Sequence, residues 1–128
     1  MAIIREMVRK YPFNLEIVGC PIVREADGLA LSSRNARLSA AQRIQALQIS
    51  KTLFASVEYA KTHTLAETKT FVETKIAESD GLRLEYFEIV DGTSLQTVNT
   101  WDASNYIVGC ITVFCGEVRL IDNIKYKE

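Results

Sequence analysis

Apolar residues return at Ile3, Ile4, Met7 and Val8, the spacing of one face of a helix that starts with the first turn of the chain. No Ser, Thr, Asp or Asn precedes them as an N-cap, and Pro12 stops the run. Leu15-Glu16-Ile17-Val18, with Ile22 and Val23 behind it, then predicts a short strand, so the chain opens on a helix-to-strand unit of the α/β type. The uncapped helix implies a neighbour upstream; a frayed terminal helix in a complete small protein is the alternative.

Periodicity disappears from Arg24 to Leu38, where Asp27-Gly28 marks a turn ahead of Leu29-Ala30-Leu31-Ser32-Ser33-Arg34-Asn35. This stretch is expected to be a long ordered loop. Ser39-Ala40-Ala41-Gln42 is a capping box, and Ala46, Ile49, Leu53, Val57 and Ala60 carry one apolar face through the helix it opens. Thr64-Leu65-Ala66-Glu67 is a second box, heading a helix with Leu65, Val72 and Ile76 inward and Gly81 as its C′ glycine. The short loop between them makes the two helices antiparallel.

Beyond Gly81 the composition turns β-branched and aromatic. Leu84, Tyr86, Phe87, Ile89 and Val90 predict one strand, ended at Asp91-Gly92, and Tyr106 to Phe114 a second. Cys115-Gly116-Glu117 is short enough for a hairpin turn into a third strand, Val118 to Ile121, and Gly92 to Asn105 is the one linker-like stretch. The fold class that follows is α+β, a small antiparallel sheet of about three strands covered by the two capped helices.

Composition bounds what such a chain can do. Its 128 residues, 48% hydrophobic, suffice for one compact domain. A net charge of −1 supplies no global field to recruit nucleic acid or an anionic membrane. No apolar run approaches the roughly 20 residues that cross a bilayer, and no basic leader opens the chain. A cytoplasmic protein with no nucleic-acid or membrane partner is expected. Cys20, Cys110 and Cys115 form no C-x-x-C pair and His63 is the one histidine, so metal sites are poorly supported. Cys110 and Cys115 fall on opposite faces of a strand about 16 Å apart at the usual rise. All three are read as ordinary buried or half-buried thiols.

The segment that resists a packing explanation is Asp27 to Asn35. Ser32 and Ser33 offer hydroxyl and N–H donors, and the guanidinium of Arg34 can grip phosphate oxygens bidentately. From Pro21 to Arg43, four arginines (Arg24, Arg34, Arg37, Arg43) face two carboxylates (Glu25, Asp27), a local charge of +2 in a chain that is net negative. A polyanion would suit these groups. So would a simple solvated loop leading into the helix at Ser39, and composition alone does not choose between them.

The run Pro21-Ile22-Val23-Arg24-Glu25-Ala26-Asp27-Gly28-Leu29-Ala30-Leu31-Ser32-Ser33-Arg34-Asn35 resembles the signature segment of pantothenate synthetases. Leu38-Ser39, Tyr86-Phe87-Glu88-Ile89-Val90-Asp91 and Arg119-Leu120-Ile121-Asp122-Asn123 extend the resemblance, in order, over almost the whole chain. It implies a ligase that condenses pantoate with β-alanine through a pantoyl adenylate, using ATP with Mg2+, in an adenylating enzyme related to class I aminoacyl-tRNA synthetases. Leu31-Ser32-Ser33-Arg34 is similar to the mobile Lys-Met-Ser-Lys-Ser loop of that wider group, with arginine where lysine is more usual. By the same resemblance Val23 borders the adenine pocket, Leu31 shapes the nucleotide site, and Ser32, Ser33 and Arg34 face the phosphates.

The resemblance also implies what this sequence lacks. Such enzymes begin with a Rossmann-like domain bearing a His-x-Gly-His element, and a Gly-x-Lys-Asp-x-Gln-Gln segment just upstream of the helix that opens here. Residues 1–20 are therefore expected to be a remnant of that domain and residues 21–128 the C-terminal lid domain, inactive alone, of an enzyme that is a homodimer when complete. A non-catalytic nucleotide-binding module, or a protein-interaction module pairing through Ile3, Met7 and Val8, is the alternative.

Overall fold

The computed structural model describes all 128 residues. Helix α1 (Ala2–Lys10) forms at the predicted place, with no side-chain cap at Met1. It buries nothing: Ile3 is 73% exposed, and the first buried residue of the chain is Leu29. Both capping boxes form. Ser39 Oγ accepts from Gln42 N while Gln42 Oε1 accepts from Ser39 N, starting α2 (Ala40–Ala60). Thr64 and Glu67 do the same for α3 (Leu65–Ala77). Ala46, Ile49 and Leu53 of α2 and Leu65, Val72 and Ile76 of α3 are buried as their spacing predicts, while Val57 and Ala60 are half-buried. Thr68 occupies a core position because its hydroxyl donates back to Thr64 O at 2.9 Å.

The helices cover one face of an antiparallel sheet of β1 (Leu82–Asp91), β2 (Ile107–Cys115) and β3 (Val118–Lys127), in that spatial order. Along β2, Ile107, Ile111, Val113 and Cys115 are buried against the helices, whereas Val108, Cys110 and Phe114 on the opposite face are half-exposed. The inner-face position 109 is a glycine, since a Cβ there would come within 2.8 Å of the Tyr126 ring and 3.0 Å of the Phe87 ring. Gly116, at φ 58°, and Glu117 make a two-residue hairpin between the paired Cys115 and Val118. The result is the predicted α+β architecture around one core of 16 buried apolar residues.

Four expectations need correction. No strand forms at Leu15 to Val18 or at Ile22 and Val23: a strand needs a neighbour for its ladder, and from Asn14 to Ile22 the backbone bonds to no other segment. In the same uncovered stretch Cys20 is exposed rather than buried, while Cys110 is half-buried and Cys115 buried. Gly81 is not a C′ residue, because α3 ends at Ala77 with Glu78 as its cap; its φ of 74° serves the turn that Leu82 N closes on Ser79 O. The third strand runs to Lys127 rather than Ile121, since its partner β2 continues beside it to Ile107.

Candidate functional site: the Val23 to Arg37 loop at the β3 edge

The loop begins as a small hairpin. Arg24 and Ala30 form an antiparallel bridge, Leu31 N donates to Val23 O at 3.0 Å, and Glu25 N donates to Leu29 O at 2.8 Å. Gly28 turns the chain at φ 95°, a conformation that favours glycine, and Leu29 drops into the core as an anchor. After Leu31 the chain winds into one short 3₁₀ helix, Ser33–Arg37. It is capped by Ser32, whose Oγ accepts from Arg34 N at 3.2 Å. The sequence carried this signal in Ser32, a hydroxyl two residues before the N–H it caps.

Two of the four arginines of this segment are consumed by carboxylates. Arg24 reaches across to β3 and grips Asp122 with both Nη atoms, at 2.7 and 3.0 Å, while also donating to Gly28 O at 3.1 Å. Arg43, from the first turns of α2, ties Glu25 at 2.5 Å and Asp27 at 2.9 Å. Glu25 also accepts from Asn35 Nδ2 at 2.7 Å. These bonds hold the carboxyls of Glu25 and Asp27 below the usual carboxylate range, Arg43 being the larger cause for each, with Asn35 adding to it for Glu25. Arg34 and Arg37 pair with no carboxylate, so the local charge of +2 resides on these two side chains.

The five residues singled out from the sequence come together. Val23 and Leu31 sit side by side across the hairpin, 64% and 62% exposed although apolar, and Ser32, Ser33 and Arg34 follow at the exposed tip. Arg34 Nη1 donates to Arg119 O on β3 at 3.2 Å, leaving the rest of its guanidinium free. A small cavity of about 30 Å³ lies between the loop and β3, lined by Ser32, Arg34 and Asn35 on one side and Arg119, Ile121 and Asp122 on the other. Asn35 is buried here, with Nδ2 committed to Glu25 and Ala30 O and Oδ1 paired with no protein donor.

Sequence reasoning counted Asn35 among the loop's polar groups but did not assign Arg119, Asp122 or Glu25 to this site. Nothing in their local pattern reports that residues 98 positions apart form an ion pair. A larger cavity of about 430 Å³ lies on the outer side of α2 and α3, walled by Tyr59 and Phe71, whose rings stack at 4.5 Å. It shares no lining residue with the loop. His63 stacks on Tyr59 at 3.7 Å with Nδ1 beside Tyr59 O, and is no part of the loop site.

The pantoate-beta-alanine ligase family matches residues 1–125 of the chain. Pantothenate synthetase of Bacteroides fragilis is 71% identical over 128 residues, covering 100% of this chain and 45% of that protein. That of Phocaeicola vulgatus is also 71% identical, again over 45% of its length. The chain thus spans about half the length of the relatives it matches. Among solved structures, pantothenate synthetase from Thermus thermophilus superimposes with a TM-score of 0.90 at 35% identity, covering 99% of this chain and 46% of that one. Pantoate-beta-alanine ligase from Francisella tularensis, complexed with beta-gamma ATP and beta-alanine, gives 0.56 at 26% identity, over 96% of this chain and 38% of that one. With a family match over nearly its full length and a fold shared with solved members, the chain belongs to the pantoate-beta-alanine ligase family.

Proposed function

We propose that this chain is the nucleotide-gripping lid of a ligase that joins pantoate to β-alanine through a pantoyl adenylate, releasing AMP and pyrophosphate. The observation that carries the reading is the sorting of charge in the loop. Arg24 and Arg43 are locked to carboxylates, while Arg34 stands unpaired at an exposed tip, next to two hydroxyls and an exposed apolar pair. Val23 and Leu31 present the kind of surface on which an adenine ring packs. Ser32, Ser33 and Arg34 present donors to the phosphates. The ATP analogue in the Francisella relative supports nucleotide use by the family.

The chemistry asks for these groups. When a carboxylate attacks the α-phosphorus, charge builds on the departing pyrophosphate, and a fixed guanidinium stabilises it without moving a proton. A lid also keeps water from a labile acyl adenylate. Magnesium arrives with ATP in this reading; the chain holds no cluster of three acidic, histidine or cysteine side chains that would bind it independently. Residues 1–20 belong to a packing surface for the remainder of the enzyme, consistent with α1 burying none of its side chains here. Residues 21–128 are the lid. Pantoate and β-alanine are held by that remainder, so the chain alone has no ligase activity and the complete enzyme works as a homodimer.

Calorimetric titration of the 128-residue chain with Mg-ATP tests the grip. Arg34→Ala is expected to weaken Mg-ATP binding by about tenfold or more, the scale of a charge-assisted hydrogen bond, and to leave adenosine binding unchanged. Equal affinity of Arg34→Ala and the parent chain for Mg-ATP sinks the assigned role. Adding the separately expressed amino-terminal portion of a family member should restore AMP release that again depends on Arg34.

A further inference from the structure

We propose that Asn35 is a positioning residue for Arg34, holding the 3₁₀ helix that carries the arginine to the adjoining hairpin through Glu25 and Ala30. The inference rests on the reading of Ser32 to Arg34 as a phosphate grip and adds the residue that keeps the grip in place. Arg34 itself does little to fix the tip. Its N–H donates to Ser32 Oγ at 3.2 Å and its Nη1 to Arg119 O at 3.2 Å, and both bonds are exposed. From Leu31 to Arg37 every residue is exposed except Asn35, which is buried. The anchoring of the tip therefore falls to the residue next to Arg34.

The contacts of Asn35 join three elements. Its backbone belongs to the 3₁₀ turn, with N donating to Ser32 O at 3.0 Å and O accepting from Leu38 N at 3.1 Å. Its side chain reaches both arms of the hairpin, Nδ2 donating to Glu25 Oε1 at 2.7 Å and to Ala30 O at 3.0 Å. Both partners are acceptors, so only the amide nitrogen can face them and the carboxamide has one orientation. Glu25 is in turn held from α2, where Arg43 donates to Oε1 at 3.3 Å and to Oε2 at 2.5 Å. Packing alone does not ask for this residue. Asn35 Oδ1 is buried without a protein donor, which is unfavourable, and a leucine of comparable size would avoid that but offer no donor to Glu25 or Ala30. A polar side chain kept in the interior with half of its carboxamide unsatisfied marks a position set by the site beside it.

The test uses the 128-residue chain at low ionic strength, with inorganic tripolyphosphate as the probe in calorimetric titration and thermal melting to confirm that each variant is folded at the titration temperature. Asn35→Leu changes no charge and is expected to weaken tripolyphosphate binding by about tenfold, equivalent to about 1.4 kcal/mol. That loss corresponds to a tip in its binding position about one tenth of the time. In an Arg34→Ala background the same substitution should cost less than about twofold, because a residue that acts through Arg34 has nothing left to position. Thr64→Ala, which loosens α3 away from the loop, should lower Tm yet leave affinity within about twofold of the parent. Asn35→Ser keeps one donor and should fall between the parent and Asn35→Leu; it carries the same cycle if Asn35→Leu does not fold. Equal losses from the substitution at Asn35 with and without Arg34 would overturn the proposal. A loss with Arg34→Ala but none with Asn35→Leu leaves the grip standing and excludes Asn35. If the parent chain ignores tripolyphosphate, the grip and the positioning role fall together.

Discussion

Replacing Asp122 by alanine should destabilise the chain more than any other change to a charged residue of the loop region, and the reason can be worked from its contacts. Its side chain is 3% exposed and accepts three bonds: Arg24 Nη1 at 2.7 Å, Arg24 Nη2 at 3.0 Å and the N–H of Asn123 at 2.7 Å. Without the carboxylate, Arg24 keeps Gly28 O at 3.1 Å and the face of the Phe54 ring, 4.9 Å from its guanidinium carbon, but its charge loses its counter-ion in a place only 17% open to water. Removing one member of a buried pair costs about 3–5 kcal/mol. The residual exposure of Arg24 and its two surviving contacts place Asp122→Ala near the lower end, about 3 kcal/mol, or a drop of about 10 °C in Tm for a chain of this length. Urea unfolding followed by Trp101 fluorescence measures it, with an unchanged m-value as the check on two-state behaviour. The double change Arg24→Met/Asp122→Leu removes both charges and should return to within about 1 kcal/mol of the parent. A single variant within about 0.5 kcal/mol of the parent, or a double variant no better than the single, refutes the reasoning.

Two further outcomes are expected of the fold. Burial pushes the Tyr126 hydroxyl up to about 12 from its usual value near 10, with the bond to Ser56 opposing the shift. Because the folded value is the raised one, the stability this group contributes is fully present below pH 10 and is lost as pH climbs towards 12. Tyr126→Phe should flatten that part of the stability profile in pH-dependent urea unfolding, and an unchanged profile would rule out Tyr126 as the titrating group. Thr64→Ala should cost about 1 kcal/mol by urea unfolding, and Thr64→Gly only a few tenths, as for an N-cap; equal losses would mean that the capping bond to Glu67 N is not what the hydroxyl supplies.

Much of the architecture could be read from local pattern because its determinants are local. Ser39 with Gln42, and Thr64 with Glu67, state where α2 and α3 begin within four residues of chain, and the inward stripe states which face is buried. The bulge at Glu85, where the register slips between Leu84 and Tyr86, has no counterpart in the strand pattern read from the sequence. Failures occur where the determinant is distant. Leu15 to Val18 has strand composition but no partner strand. The end of β3, Asn123-Ile124-Lys125-Tyr126-Lys127, looks too polar for a strand until β2 is seen beside it and Tyr126 is found reaching Ser56 of α2. At the loop, the donors Ser32, Ser33 and Arg34 were visible as residue types. Which arginines remain free was not, since that depends on Asp122 from β3 and on Arg43 folding back from α2.

The free arginines also bear on how the loop could rearrange around a ligand. The loop is pinned at its base by Arg24 to Asp122, along its hairpin by the bonds of Leu31 to Val23 and Glu25 to Leu29, and beyond its tip by Asn35 to Glu25 and Ala30. Its backbone is thus tied before and after the Ser-Ser-Arg tip, and one of its anchors, Leu29, is part of the core. Unhinging it would break a buried ion pair, whereas turning a side chain breaks one exposed bond, Arg34 to the carbonyl of Arg119. The cheaper rearrangement is the second. On the proposed reading, this loop would grip by side-chain movement on a fixed frame. At the outer edge of β3 the loop satisfies one backbone acceptor, the carbonyl of Arg119, so a side-chain turn of Arg34 would also return that group to solvent or to a ligand.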